Sequence, residues 1–83
     1  MKYYVVLNRT ENDGIYEDDV IGVKTNKDEA LKLMQEEMER VEQHYYDGQD
    51  ARWHLTEKKN YTALVLDLHY MWVNIELQEI EEV

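Results

Sequence analysis

Between Thr25 and Gly48 apolar residues recur at three- and four-residue steps; on either side the pattern changes to short runs and two-residue alternation. Ala30, Leu31, Met34, Met38, Val41 and Tyr45 fall within one stripe about 100° wide, the core-facing band of an amphipathic helix. Thr25 and Asn26 both suit its N-cap, each with an acid three residues on, Asp28 and Glu29. Asp47-Gly48 supplies the stop, because glycine takes the left-handed position that ends many helices. The outer face carries Glu29, Lys32, Glu36, Glu39 and Gln43, and Asp28–Lys32 and Glu36–Arg40 have the spacing of neighbours one turn apart.

Residues 2–8 are rich in β-branched and aromatic types and read as a strand. Its apolar residues fall on both parities, as in an interior strand covered on both faces. Residues 9–18 are polar, with a turn signal at Asn12-Asp13-Gly14. A second strand, Asp19 to Lys24, is expected to pair antiparallel with the first, and Gly22 within it marks a bulge or a close approach of the helix. After a polar connector, Trp53–Glu57 reads as a short strand, turned by Lys58-Lys59-Asn60 into Tyr61–Leu68. Met71 to Gln78 alternates, with Met71, Val73, Ile75 and Leu77 on one face and Trp72, Asn74, Glu76 and Gln78 on the other. The acidic tail, Glu79 to Val83, is expected to fray.

The order β-β-α-β-β-β makes one domain, residues 1–83: an α+β two-layer sandwich, with one long helix on an antiparallel sheet of four to five strands. One helix covers one face of such a sheet. Tyr4, Val6, Trp72 and one parity of the Tyr61 strand are expected on the other, where they are buried by curling or meet a second copy or another protein.

Composition removes whole classes of chemistry. The 83 residues include neither cysteine nor serine, which excludes disulfides and the Ser or Cys nucleophiles of hydrolase triads. Gly14, Gly22 and Gly48 are too far apart for a phosphate-cradling loop. Aligning Gly14 with the sixth position of a calcium-binding EF-hand loop puts Arg9 first and Val20 twelfth, where carboxylates are required, so that motif fails. His44, His54 and His69 form no paired zinc motif, and His44 reads as a last-turn histidine favoured by the helix dipole. No catalytic residue, metal or cofactor is assigned. The apolar runs are too short to span a bilayer and no signal peptide is evident, which points to the cytoplasm.

Nineteen acids against nine bases give a formal charge of −10. That balance repels nucleic acid and anionic membrane, which argues against direct binding to either, and steers the chain toward basic partners. Acids cluster at Glu17-Asp18-Asp19, along Glu36, Glu37, Glu39 and Glu42, at Asp47 and Asp50, and from Glu76 to Glu82, with Tyr16, Tyr45, Tyr46, Tyr70 and Trp72 beside them. Carboxylates pair with Arg and Lys while aromatics supply anchoring area, so Glu36, Glu39, Glu42, Tyr46, Asp47, Trp72 and Glu76 are the candidate partner contacts.

The run from Val20 to Ala30 resembles the strand–cap–helix junction of small proteins of Gram-positive bacteria and their phages. In size, charge and lack of chemistry the chain is similar to phage-encoded anti-defence proteins, including anti-CRISPR proteins. The resemblance is one of type and assigns no residue. It implies a non-enzymatic inhibitor in the host cytoplasm whose acidic surface occupies a nucleic-acid-binding groove of a CRISPR effector or other nuclease. The competing expectation is a small homodimeric structural or regulatory domain paired through its uncovered sheet face.

Overall fold

The computed structural model describes residues 1–45, 53–67 and 71–82. Five strands, β1 (Lys2–Asn12), β2 (Ile15–Lys24), β3 (Trp53–Lys58), β4 (Tyr61–Asp67) and β5 (Met71–Glu81), form one antiparallel sheet, and the helix α1 (Lys27–Tyr45) packs on it. This is the expected α+β class. Chain order does not carry over to the sheet, whose strands run β2-β1-β5-β4-β3, with the last strand seated between the first and the fourth.

The β1–β2 hairpin is longer than its polar sequence implied. Asp13 (φ 53°) and Gly14 (φ 83°) form a two-residue turn closed by the pair Asn12–Ile15. Positive φ at both turn residues matches the right-handed twist of the strands, which is why Asp-Gly starts a hairpin here. Pairing then carries the acids of residues 17–19 into β2, against Thr10, Arg9 and Asn8. At the other end the tail does not fray among the described residues. Glu81 pairs with Lys2, the Glu82 amide donates to the Met1 carbonyl (2.9 Å), and Lys2 Nζ lies 3.0 Å from Glu79 Oε1.

Asn26, rather than Thr25, caps the helix. Its Oδ1 accepts from the amides of Asp28 (2.8 Å) and Glu29 (3.2 Å), contributing about 1 kcal/mol to the helix start. The helix runs diagonally over the sheet: Leu33 lies over Gly22 of β2, Glu37 meets Asn8 of β1, and Glu42 reaches Trp53 of β3. A Cβ at Gly22 would lie 2.6 Å from Leu33 Cδ2, and the β1–β2 register shifts next to it, between Val6 and Leu7. Gly22 thus marks both a bulge and a close approach.

Beneath α1, Ala30, Met34 and Val41 meet Val6, Leu66, Met71, Val73, Ile75 and Leu77, with Leu33, Met38 and Tyr4 packed around them. Two expectations are corrected. Leu31 lies outside the stripe and is exposed, and Leu33 takes its place at the sheet. Tyr4 and Val6 face the helix, so the uncovered side of β1 carries Tyr3, Val5 and Leu7. Trp72 and the Tyr61, Ala63, Val65 parity of β4 do lie on the uncovered face, opposite the Val73 and Leu66 positions under the helix. The Asp47-Gly48 stop and the Tyr45 side chain lie outside the described residues.

Candidate protein-binding surface

The residues named from the sequence do not form one surface. Glu36 and Glu39 stand exposed on the outer side of α1, where Gln35 Nε2 donates to Glu39 Oε1 at 3.4 Å. Glu42 is engaged within the chain, its Oε1 accepting from Trp53 Nε1 at 2.7 Å, and so ties the end of α1 to β3. Trp72 and Glu76 lie on the opposite side of the molecule, on the uncovered sheet face. Tyr46 and Asp47 are outside the described residues.

Glu37 is turned inward. It sits at the sheet, where its carboxylate accepts from Asn8 Nδ2 (3.2 Å), from Arg40 Nη2 (3.3 Å) and from Arg40 Nε. Thr10 Oγ1 donates to Asn8 Oδ1 at 2.9 Å, which completes the cluster. Each buried polar group there has a partner, as burial requires. Of the four acids from Glu36 to Glu42, two serve the fold, and the acidic helix face is thinner than its sequence suggests.

On the uncovered face, Glu76 is buried between Leu7 and Ala63 in the register of the sheet. Arg9 Nε approaches Glu76 Oε2 to 3.0 Å, an ion pair without the alignment of a hydrogen bond, and Asn74 Oδ1 beside it receives no donor among the described residues. Burial, and after it the neighbouring Glu76 carboxylate, raises the Tyr61 hydroxyl above its usual 10.0, while Asn74 and Arg9 oppose the shift. The folded state therefore holds the Tyr61 proton to higher pH than the unfolded chain does. Stability from this group is complete below pH 10.0 and falls as pH rises through the raised value. Tyr61→Phe is expected to change the urea midpoint by a constant amount below pH 10.0 and to reduce the alkaline loss above it. An identical alkaline slope in parent and variant would rule out this assignment.

The hairpin carries the denser exposed charge. Asp13, Glu17, Asp18 and Asp19 are exposed and Glu11 is half-buried, with only Arg9 opposed to them along the two strands at this end. Arg9 Nε lies 3.9 Å from Asp18 Oδ1, a solvent-screened contact of little energetic weight. Interleaved with these acids are Ile15, Tyr16 and Val20, which are 66, 70 and 65% exposed. Tyr16 meets Trp72 edge-on, with ring centroids 6.5 Å apart at 67°. The sequence signal was the run Glu17-Asp18-Asp19 next to Tyr16; what it lacked was the pairing that puts the run on an edge strand. Geometry explains the exposure. Eleven paired residues in β1 span about 36 Å, whereas the 19 residues of α1 span about 28 Å along a diagonal, so the hairpin corner lies beyond the helix.

Among the described residues no group of three or more His, Cys, Asp or Glu side chains is placed to hold a metal, and no helix is long and apolar enough to cross a membrane. What the arrangement offers is a contact surface: carboxylates on the outer helix and the hairpin, with uncovered aromatic and aliphatic side chains between the hairpin and the open sheet face. Searches of family models, of curated proteins and of solved structures find no match to the chain.

Proposed function

We propose that this protein is a non-enzymatic inhibitor that presses its acidic surface into a basic, nucleic-acid-binding groove of a host nuclease complex, in the manner of anti-CRISPR proteins. The observation that carries the reading is the charge of −10 together with its exposed placement beside apolar side chains at the hairpin. Carboxylates would compete with phosphate for the same Arg and Lys donors, and Tyr16 and Ile15 would add desolvated anchoring area. The test is competition: a purified CRISPR effector is assayed for DNA binding as this protein is added, at low and raised salt. Loss of DNA binding that salt relieves is expected. The pair Glu36→Lys and Glu39→Lys is expected to weaken inhibition about tenfold or more. Inhibition unchanged by that reversal would remove the outer helix from the interface, and no inhibition of any nucleic-acid-handling complex would end the reading.

The uncovered sheet face favours a second reading, a homodimer closed face to face. Val20, Val23 and Ile80 are exposed around Val5 and Leu7 there, a contiguous apolar corner of the sort that protein contacts bury. It predicts a dimer by sedimentation equilibrium that Trp72→Glu converts to monomer. A parent chain that sediments as a monomer at the highest soluble concentration would discard it.

A further inference from the structure

We infer that the free edge of β2 takes up an extended, lysine- or arginine-bearing segment of a partner protein as a sixth strand. β2 is a terminal strand of ten residues, and among the described residues it pairs with β1 on one side, which leaves the backbone N–H and C=O groups along its other side unpaired within the sheet. The other terminal strand, β3, has six residues, and its one acid, Glu57, stands next to Lys58, whereas the three acids of β2 lie five or more residues from its base, Lys24. Four of the large exposed apolar side chains, Ile15, Tyr16, Val20 and Val23, lie on β2. They flank Glu17-Asp18-Asp19 on both sides. In the register of the hairpin Glu17 and Asp19 project to the helix face and Asp18 to the uncovered face, so an added strand meets a carboxylate whichever way its side chains point. On the helix side a hollow of about 340 Å³ lined by Thr10, Asn12, Asp13, Ile15 and Glu17 adjoins the edge, with room for a side chain of the incoming strand.

Charge selects the occupant. Two copies paired antiparallel along the straight portion Ile15–Val20 would set Glu17 of each against Asp18 of the other, and parallel pairing in register would stack the two runs; like charges across a sheet are destabilising. A second copy is therefore disfavoured, and a basic strand gains from the same three acids. Strand addition supplies main-chain hydrogen bonds, and alternate side chains then set specificity. The Val6/Leu7 register shift opposite residues 20–22 bends the edge, which leaves Ile15–Val20 as the straight portion to be paired.

The inference rests on the reading that the partner is a basic protein, and it is tested apart from any nuclease. The intact protein, labelled with nitrogen-15, is titrated with a synthetic peptide of alternating lysine and valine as long as β2. Controls are the same peptide N-methylated at alternate residues and one with glutamate replacing lysine. Expected are chemical-shift changes and slowed amide exchange confined to β2 and its neighbours, with binding about tenfold weaker or lost for both controls and for Glu17→Lys/Asp19→Lys. Both substituted residues are exposed, and thermal melting verifies that the variant stays folded. Equal binding of the N-methylated peptide would overturn strand addition, as would shifts centred on the outer helix, no binding at all, or β2 protection that grows with protein concentration alone and so identifies a second copy. If nuclease inhibition fails while the peptide binds, only the inhibitor reading falls; if Glu17→Lys/Asp19→Lys inhibits like the parent and the peptide does not bind, only the edge inference falls.

Discussion

Ile75→Ala is expected to cost about 2–5 kcal/mol, a large share of the roughly 4–12 kcal/mol total stability of a domain this size. Ile75 is wholly buried at the middle of β5, paired with Asn8 on one side and Leu64 on the other. Its side chain belongs to the row Met71, Val73, Ile75, Leu77, which meets Ala30, Met34 and Val41 of α1. Truncation removes apolar area from the one layer that joins helix to sheet and leaves a cavity that five paired strands and a helix cannot close. Small domains are sensitive in melting temperature as well, at about 4–8 °C per kcal/mol, so a loss of about 8 °C or more is expected. Val20→Ala is the control, because Val20 is 65% exposed and its truncation is expected to stay within about 0.5 kcal/mol. Chemical denaturation of both variants decides the matter. Equal costs would mean that α1 does not seat over β5.

The same row shows how far the fold can be read from residues. The alternation in β5 is legible because its other parity, Trp72 to Gln78, is polar except for Trp72. β1 offers no such contrast: Tyr3, Val5 and Leu7 are as apolar as Tyr4 and Val6, and only pairing with β5 decides which set goes under the helix. That pairing joins the two ends of the chain, and no local pattern encodes it. Residues 9–18 read as a polar turn segment because Asn, Asp, Gly and Glu have low strand propensity, which tertiary pairing overrides on both sides of Asp13-Gly14. In the helix, the cap at Asn26 and the stripe are local and therefore legible. Glu37 is the exception. It occupies a stripe position between Met34 and Val41, so its inward direction was available from spacing, but its charge joined it to the acidic run around it.

The site was less legible than the fold for a related reason. An acid's sequence neighbours do not reveal whether its carboxylate is already in use. Glu42, held by Trp53, and Glu76, held by Arg9, look like Glu36 and Glu39 until partners from other elements are placed. The exposed hairpin acids depend on long-range facts too: where the helix ends its diagonal, and that β2 is an edge.

Arg9→Leu is expected to destabilise the protein by about 2–3 kcal/mol, and Arg9→Leu/Glu76→Leu to recover most of that loss. Removing one member of a buried pair strands the other charge at about 3–5 kcal/mol; the value here is reduced because the Arg9 side chain is 45% exposed and partly screened. Glu76, 4% exposed by side chain, is the member that cannot reach water when its partner is gone. Replacing both by leucine removes the stranded charge and adds apolar surface beside Leu7 and Ala63, a change that is often neutral or stabilising. The single variants and the double variant form a cycle, and a coupling of about 0.5–3 kcal/mol is expected from residues in direct contact. The double variant removes one acid and one base, so net charge and long-range steering toward a basic partner are preserved. Binding that survives in the folded double variant assigns Glu76 to the architecture of the uncovered face. Binding lost there, with melting and hydrodynamic size unchanged, makes Glu76 a partner contact released from Arg9 on association, and would put the uncovered sheet face at the centre of the interface.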